Sequence, residues 1–551
     1  MKTIFKDKNG EPIYVLGLQS HNSSNGSWEM IEKSIEAVKL YHGNTLEVPV
    51  YWHQIEPKEN QFDMSVVEEL IRRVRKSGLF LVILWFGFSK NAGNTYLPDW
   101  TKEDTKKYWL ASGPDGCPVP IISPHCDAIY DADAKAFKKL MECIRRVDEK
   151  DRTVISVQVE NEIGLFFIDR CYSKEAEAAF EKGVPSALYD VTLENSEAKN
   201  EDQSWHGHFG RHAHEAFTSW YLGIGVEKIA SAGKEAYPDL PLYMNTMQGE
   251  VRQKIAGHSY SSGAPVGRVL DIWRKAAPSI SLFAPDIYRQ HKSAFMLACE
   301  TYSRNDNIFF VPETGTMGDA FASNLIHAAV DYNAVGICGF GAESTLGADG
   351  TLKDESKKVA ATMNILQDMS PVLLKYLGSK QLFCVTQEEF QDLEHVEREK
   401  YHITFIFDNI RQSSEVMGGE YGGRTYGRSL RIGQEAMKDP ASFIQRGRAV
   451  VYEASPYEYY MAGVGVAARF LKRTEPTDPC PYITNESRAA TEVAALTIEE
   501  GHFTKNGEWI CEFQRRGDEL NPGVLLYPGT VLRVKMNPNI DCAGTLYNER
   551  K

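Results

Sequence analysis

The sequence predicts a (β/α)8 TIM barrel followed by an all-β, sandwich-like C-terminal region. Three observations carry this expectation. Up to about residue 375, short apolar, β-branched runs alternate with longer stretches of helical periodicity; eight such runs occur; and from about Gln381 the helical period gives way to short alternating runs separated by Gly, Pro and Asn. Alternation of strand and helix is the pattern of parallel βα units, and eight units close a barrel. A chain of 551 residues is also too long for one hydrophobic core. A barrel over 1–375 and a β-rich region over 376–551 are therefore expected.

The eight candidate strands are Tyr14 to Leu18, Thr45 to Val50, Phe80 to Trp85, Val154 to Val159, Leu242 to Asn245, Leu282 to Pro285, Ile308 to Pro312 and Ala334 to Gly339. Between them, SWEMIEKSIEAVKLY, SVVEELIRRVRKSG and DADAKAFKKLMECIRRVDEK repeat apolar residues at three and four positions, as amphipathic helices do. The intervals 164–232 and 248–278 are long for single units; one carries EAKNEDQSW and the other HSYSSGAPVG with Trp273. Both read as insertions at the barrel mouth, where loops shape a binding site. Downstream, HITFIFD, RAVVYEA and GVLLYPGTVLRVKM read as strands of one or two β-sandwiches.

Composition narrows the function. With 42% apolar and 25% charged residues the chain is an ordinary globular protein. A net charge of -14 leaves no uniformly basic face for phosphates, so nucleic acid is not an expected partner. The N-terminal segment MKTIFKDKNGEPIYVLG has no apolar core of a signal peptide, and no run reaches the roughly 20 apolar residues that span a bilayer. The ten cysteines are scattered without a C-x-x-C pair, which fits a reducing compartment. The expectation is a cytoplasmic protein without membrane partners; association into a homo-oligomer stays open. Asn22, Asn25 and Asn485 begin sequon triplets, which matter only in a secreted eukaryotic chain.

Barrel chemistry sits on loops leaving the C-terminal ends of strands. Two apolar runs end there in carboxylates: TVISVQVENEIG, with Glu160, Asn161 and Glu162, and NIFFVPETGTMG, with Glu313. A carboxylate at the end of an apolar strand costs desolvation energy unless partnered, so both are candidates for perturbed ionisation. Strands four and seven lie across the barrel from each other. Two carboxyls about 5 to 5.5 Å apart suit double displacement at a sugar's anomeric carbon with retained configuration. Glu160 and Glu162 share a face in a regular strand, so alternation does not choose between them. A single such Glu is more often a salt-bridge or capping partner; two on these strands favour catalysis.

VQVENEIG resembles the Q-[IV]-E-N-E-[YF]-G signature of glycoside hydrolase family 35, the β-galactosidase family in the clan of retaining barrel glycosidases; LGLQSHNSS, NTLEVPVYWHQIEPKENQFD and VPETG extend the resemblance. It implies Glu162 as acid/base, Asn161 as donor to the sugar 2-hydroxyl and Glu313 as nucleophile. Where the family carries Tyr, Tyr and Tyr this chain has Pro49, Asn22 and Ile163, and Thr314-Gly315 follows the nucleophile position, which implies altered sugar contacts in a divergent branch. The further candidates for substrate binding are His21, Asn22, Trp52, Trp85, Tyr288 and Glu343, with Phe86, Glu56 and Asn245 behind them. Tyr288 matches the clan's usual donor to the nucleophile. His206, His208, His212 and His214 lack a zinc-ligand pattern, and neither metal nor cofactor is expected.

The implied activity is an exo-acting retaining β-glycosidase of the β-galactosidase type that works on a glycoside or oligosaccharide through a covalent glycosyl-enzyme. A β-glucosidase or β-glucosyl transglycosylase on the same scaffold is the alternative. A carbohydrate-binding protein without turnover is a second.

Overall fold

The computed structural model describes residues 3–194, 202–249, 255–388, 391, 393–407, 445–472, 493, 495–516 and 524–538. Part of EAKNEDQSW, the residues 250–254, Asn485, Cys480 and Cys542 lie outside the described residues.

Eight parallel strands form one sheet. Strands one to eight are Val15–Gln19, Thr45–Tyr51, Phe80–Lys90, Val154–Asn161, Leu242–Thr246, Leu282–Ile287, Glu313–Thr314 and Gly336–Phe340, and strand eight pairs back onto strand one. A parallel bridge from Val311 to Ile337 brings the remaining edges together into a barrel. Seven predicted runs coincide with strands. The seventh differs in extent: Ile308 to Pro312 supplies only the Val311 bridge, and its ladder to strand six is Glu313–Thr314. The reason is Pro312, which has no N–H to give a ladder.

Alternation decides what each strand shows to the lumen. Val82, Leu84 and Phe86 point inward with Ile155, Leu282, Ala284 and Phe310, and Phe5 and Ile13 join the same core. Leu81, Ile83 and Trp85 point outward, under the helices. Of those helices, Trp28–Leu40 buries Ile31, Ile35 and Val38, a stripe at helical spacing, and Ser65–Ser77 buries Val67, Leu70, Ile71 and Val74 before Gly78 ends it at φ +80°. Within the interval read as the first insertion, Ala213–Ala236 is a 24-residue helix packed on Asp127–Asp148, and so belongs to the barrel's own ring. The two mouth segments meet: Leu165 bridges Ser262, and the Phe167 N–H donates to Gly257 O at 2.8 Å.

The C-terminal strands form two antiparallel sheets. A six-stranded sheet orders Leu382–Thr386, Arg448–Ser455, Glu458–Val464, Val531–Met536, Ala495–Phe503 and Trp509–Arg515; a four-stranded one orders Leu393–Glu397, Tyr401–Ile406, Val466–Lys472 and Val524–Leu526. Between them pack Ala449, Val451, Tyr459, Met461, Ile403, Phe405, Leu532 and Val534, the core of a sandwich. The alternate residues Val450, Tyr452, Tyr460 and Ala462 instead join the barrel's outer core. The larger sheet is thus buried on both faces, and its strands carry near-continuous apolar runs for that reason.

Arg448 sits in that contact, fully buried. Its guanidinium donates to Thr362 Oγ1 (2.6 Å) and Lys358 O (2.6 Å) on the barrel's last helix, Asp354–Tyr376, and to Gln445 Oε1 (2.7 Å) and Arg446 O (2.7 Å). Burial lowers its pKa to about 10, against the charge of Asp319. Arg448→Met keeps the volume and strands several buried acceptors at about 1–3 kcal/mol each. The expected result is a loss of at least about 2 kcal/mol in urea unfolding. An unchanged midpoint would contradict this. Among the described residues no helix is long and apolar enough to cross a membrane.

Candidate active site

The end of strand four is not regular. Glu160 and Glu162 have φ +58° and +45°, a conformation that costs non-glycine residues about 1–3 kcal/mol and is tolerated where the surroundings impose it. They are imposed here by strand three, which runs on to Lys90: Asn91 N–H donates to Asn161 O and Ala92 N–H to Glu162 O, both at 3.0 Å. The kink separates the two glutamates that a flat strand would have placed together.

Glu160 turns into a buried knot. It accepts from Ser89 N–H (2.8 Å) and faces Asp133, which accepts from Trp85 Nε1 (2.8 Å) and Phe88 N–H (2.8 Å). Only glycine fits at 87, since a Cβ there would lie 2.3 Å from Asp133 Oδ2 and 2.4 Å from Glu160 Oε1. Burial first, then the Asp133 charge, pushes Glu160 well above the carboxylate range, and burial raises Asp133 to about 6. Burial thus favours the protonated form of both carboxyls.

Glu162 turns to the mouth, where it feels Glu313, Asp286 and Lys90. Burial chiefly, and then the Glu313 charge, raises its pKa to about 7, while Lys90 and a hydrogen bond with Asp286 pull the other way. Glu313 begins the two-residue strand seven with both oxygens held: Oε1 accepts from the Tyr288 hydroxyl and Oε2 from Gln19 Nε2 at 3.2 Å. Burial raises it too, with Tyr288, Lys90 and Gln19 opposing. Tyr288 is 43% exposed despite its bond to Glu313, so its ring stands at the opening.

Asn161 Oδ1 accepts from Lys90 Nζ at 2.8 Å, and its amide nitrogen is buried without a hydrogen-bond partner, a donor held ready. Asn245 ties two parts together: its Oδ1 accepts from the Glu162 N–H (2.9 Å) and its Nδ2 donates to Asp286 Oδ2 (2.8 Å). At the other rim the His21 N–H donates to Glu343 Oε2 (3.1 Å), and the Asn22 carbonyl accepts from Tyr51 (2.7 Å) and Tyr96 (3.2 Å) hydroxyls.

Trp52 and Trp85 require correction. Both are 0% exposed. Trp52 Nε1 donates to Glu56 Oε2 at 2.7 Å and its ring packs edge-on to Trp100; Trp85 packs against Phe137. Strand three extends five residues beyond Trp85, so this side chain is mid-strand and of outward parity. Phe86 is buried in the lumen, and Glu56 braces its loop through the Asn60 N–H (2.7 Å). The histidines of the mouth segment are taken up locally: His208 Nε2 lies 3.0 Å from Val191 O, His214 Nδ1 2.6 Å from Asp169 Oδ2, and His206 packs edge-on against His214.

Three residues enter the site that the sequence reading did not name. Asp286 is driven well above the carboxylate range by burial and by the charges of Glu313 and Glu162, so it is a neutral acid able to donate. Lys90 is lowered by burial but raised by the same three carboxylates. Gln19 holds Glu313. Phe167, 76% exposed at φ +73°, lies with Phe166, Ile168, Asp169 and His258 around a hollow of about 410 Å³ on the loop that follows Glu162. Lys90→Met removes a cation that favours both ionised carboxylates, so both limbs of the kcat/KM pH profile are expected to move to higher pH. A profile that moved down or stayed in place would refute the role of Lys90.

Carboxyls at the ends of strands four and seven of a parallel barrel are a pair that glycoside hydrolysis can use, and one segment of the chain matches a family model of that class. Residues 21–212, which hold Lys90, Asn161 and Glu162, match the family model described as beta-galactosidase, glycoside hydrolase family 42. The match over this segment is to family 42, where the motif wording resembles 35. Residues 359–526 match a domain of unknown function, DUF5597. No curated protein matches. Among solved structures, the chain is similar to the β-amylase catalytic domain of Paenibacillus polymyxa (12% identity, TM-score 0.49, covering 63% of this chain and 96% of that one). It is also similar to the β-galactosidases of Rahnella sp. R3 (14%, TM-score 0.48, 67% and 58%) and Bacillus circulans sp. alkalophilus (14%, TM-score 0.48, 66% and 57%). The chain thus spans under two thirds of the length of these two galactosidases.

Proposed function

We propose that the protein is an exo-acting retaining β-glycosidase of the β-galactosidase type, with Glu313 as nucleophile and Glu162 as acid/base. The observation that carries this reading is the opposite provision for the two carboxyls. Glu313 receives two hydrogen bonds that favour its anion, whereas Glu162 is held protonated up to about pH 7. Titratable groups whose surroundings divide their roles in this way mark acid and base assignments.

In the first step a Glu313 oxygen attacks the anomeric carbon, the bond to the leaving oxygen breaks, and Glu162 passes its proton to that oxygen. In the second, the Glu162 carboxylate takes a proton from water, the hydroxide oxygen joins the anomeric carbon, and Glu313 leaves as carboxylate. Neutral Asp286 donates to Glu162 while it is ionised between steps, and Asn161, fixed by Lys90, offers its amide to the sugar 2-hydroxyl.

The test is a 2-deoxy-2-fluoro glycosyl fluoride followed by peptide mapping, run beside a panel of aryl β-galactoside, glucoside, fucoside, mannoside and xyloside. Labelling at Glu313 and fastest release of galactose are expected. Labelling elsewhere would overturn the nucleophile, and preference for glucoside, or transfer to an added sugar, would replace the substrate while leaving the mechanism. No turnover and no label on any sugar would favour a binding protein.

A further inference from the structure

We propose that His327, Asp331 and Cys384 form a zinc site that joins the seventh barrel helix, Asp319–Val330, to the first strand of the C-terminal sheet, Leu382–Thr386. The site uses none of the mouth's carboxylates and does not depend on the activity proposed above.

The first argument is geometric. Cys384 Sγ lies 3.6 Å from His327 Nδ1 and 3.6 Å from Asp331 Oδ1. Tetrahedral zinc, with Zn–S of about 2.3 Å and Zn–N or Zn–O of about 2.0–2.2 Å, sets sulfur about 3.5 Å from each other donor atom. Asp331 Oδ2, the other carboxylate oxygen, sits 2.6 Å from the same Nδ1, so one carboxylate rotation exchanges a hydrogen bond for a metal bond.

The second argument is the shell behind the histidine. His327 Nε2 lies 2.8 Å from Thr386 Oγ1, which donates to Glu388 Oε1 at 3.3 Å, and that oxygen accepts from Lys292 Nζ at 2.8 Å. A proton on Nε2 is thereby provided for, which leaves the Nδ1 lone pair facing the sulfur and the carboxylate. Metal-bound histidines are oriented by such partners. Access and charge also fit. His327 is 8% exposed, whereas the Asp331 side chain is 46% exposed, which leaves an approach for the ion and a place for a fourth, solvent ligand. A thiolate and a carboxylate neutralise a divalent cation at this half-buried seam. Soft sulfur with imidazole selects zinc over magnesium or calcium.

The rival is a plain imidazolium–carboxylate pair with a neighbouring thiol. The experiment strips the full-length protein with a chelator, dialyses it against zinc and then against buffer, and measures retained metal with Tm; cobalt(II) loading reads thiolate ligation from its charge-transfer band. Wild type is expected to keep about one zinc per chain, to gain Tm on loading and to show the cobalt band. Cys384→Ser is expected to lose all three, as is His327→Gln, while Cys117→Ser, at an exposed cysteine, keeps them. Should His327→Gln fail to fold, Cys384→Ser alone decides. Zinc absent from wild type, or retained in Cys384→Ser with the cobalt band unchanged, overturns the site.

Discussion

Glu313→Gly is expected to lower hydrolysis by on the order of 10⁴-fold or more, because no other group takes the place of a positioned nucleophile. The cavity left beside the Tyr288 hydroxyl and Gln19 should admit azide or formate. With an activated aryl glycoside and azide, the product should be the glycosyl azide of inverted configuration, since the small anion attacks from the face that Glu313 held. Proton NMR of the azide distinguishes the anomers. Absence of rescue, or an azide of retained configuration, would assign the nucleophile elsewhere.

Glu162→Ala is expected to act differently on different substrates. Loss of a general acid costs about 10²–10⁴-fold where the leaving oxygen needs a proton, so a disaccharide should suffer fully and a dinitrophenyl glycoside far less in its first step. Wild-type kcat/KM should fall as pH rises through about 7, where Glu162 gives up its proton. The sign follows from the role: the acid is competent only while protonated, and a raised pKa extends that range upward. At low pH the activity should fall again as Glu313, itself raised by burial, takes up a proton. In Glu162→Ala the alkaline limb should vanish. Equal loss on both substrates, or an alkaline limb that persists, would remove Glu162 from the acid role.

Much of this was legible in the chain. Apolar runs and helical periodicity located seven strands closely, because a parallel sheet buried on both faces needs continuous apolar runs. Glu162 and Glu313 were legible as carboxylates at strand ends, and Tyr288, which reaches Glu313, through resemblance. The choice between Glu160 and Glu162 was not, since it rests on two positive φ angles set by an extension of strand three. That same extension puts Trp85 in mid-strand, where the apolar run alone would end the strand at this residue. Asp286 and Glu47 carried a signal that alternation supplies: each shares the inward parity of its strand, and each is a carboxyl in an apolar run. Glu47 is kept well above the carboxylate range by burial and accepts from Tyr243 at 3.3 Å. The group of His327, Asp331 and Cys384 has no such signal, because the cysteine lies 53 residues from Asp331 and only the fold brings it near.

Arg448 bears on how this chain can be divided. Its guanidinium is satisfied at once from the barrel's last helix and from the residues just ahead of its own strand, and the match to DUF5597 begins at residue 359, inside that helix. A catalytic fragment cut after the helix would show water the apolar residues that now face Val450, Tyr452 and Tyr460, an invitation to aggregate. The transplantable unit is therefore the helix with its sandwich, and chimaeras that exchange the C-terminal part should place their crossover ahead of Asp354.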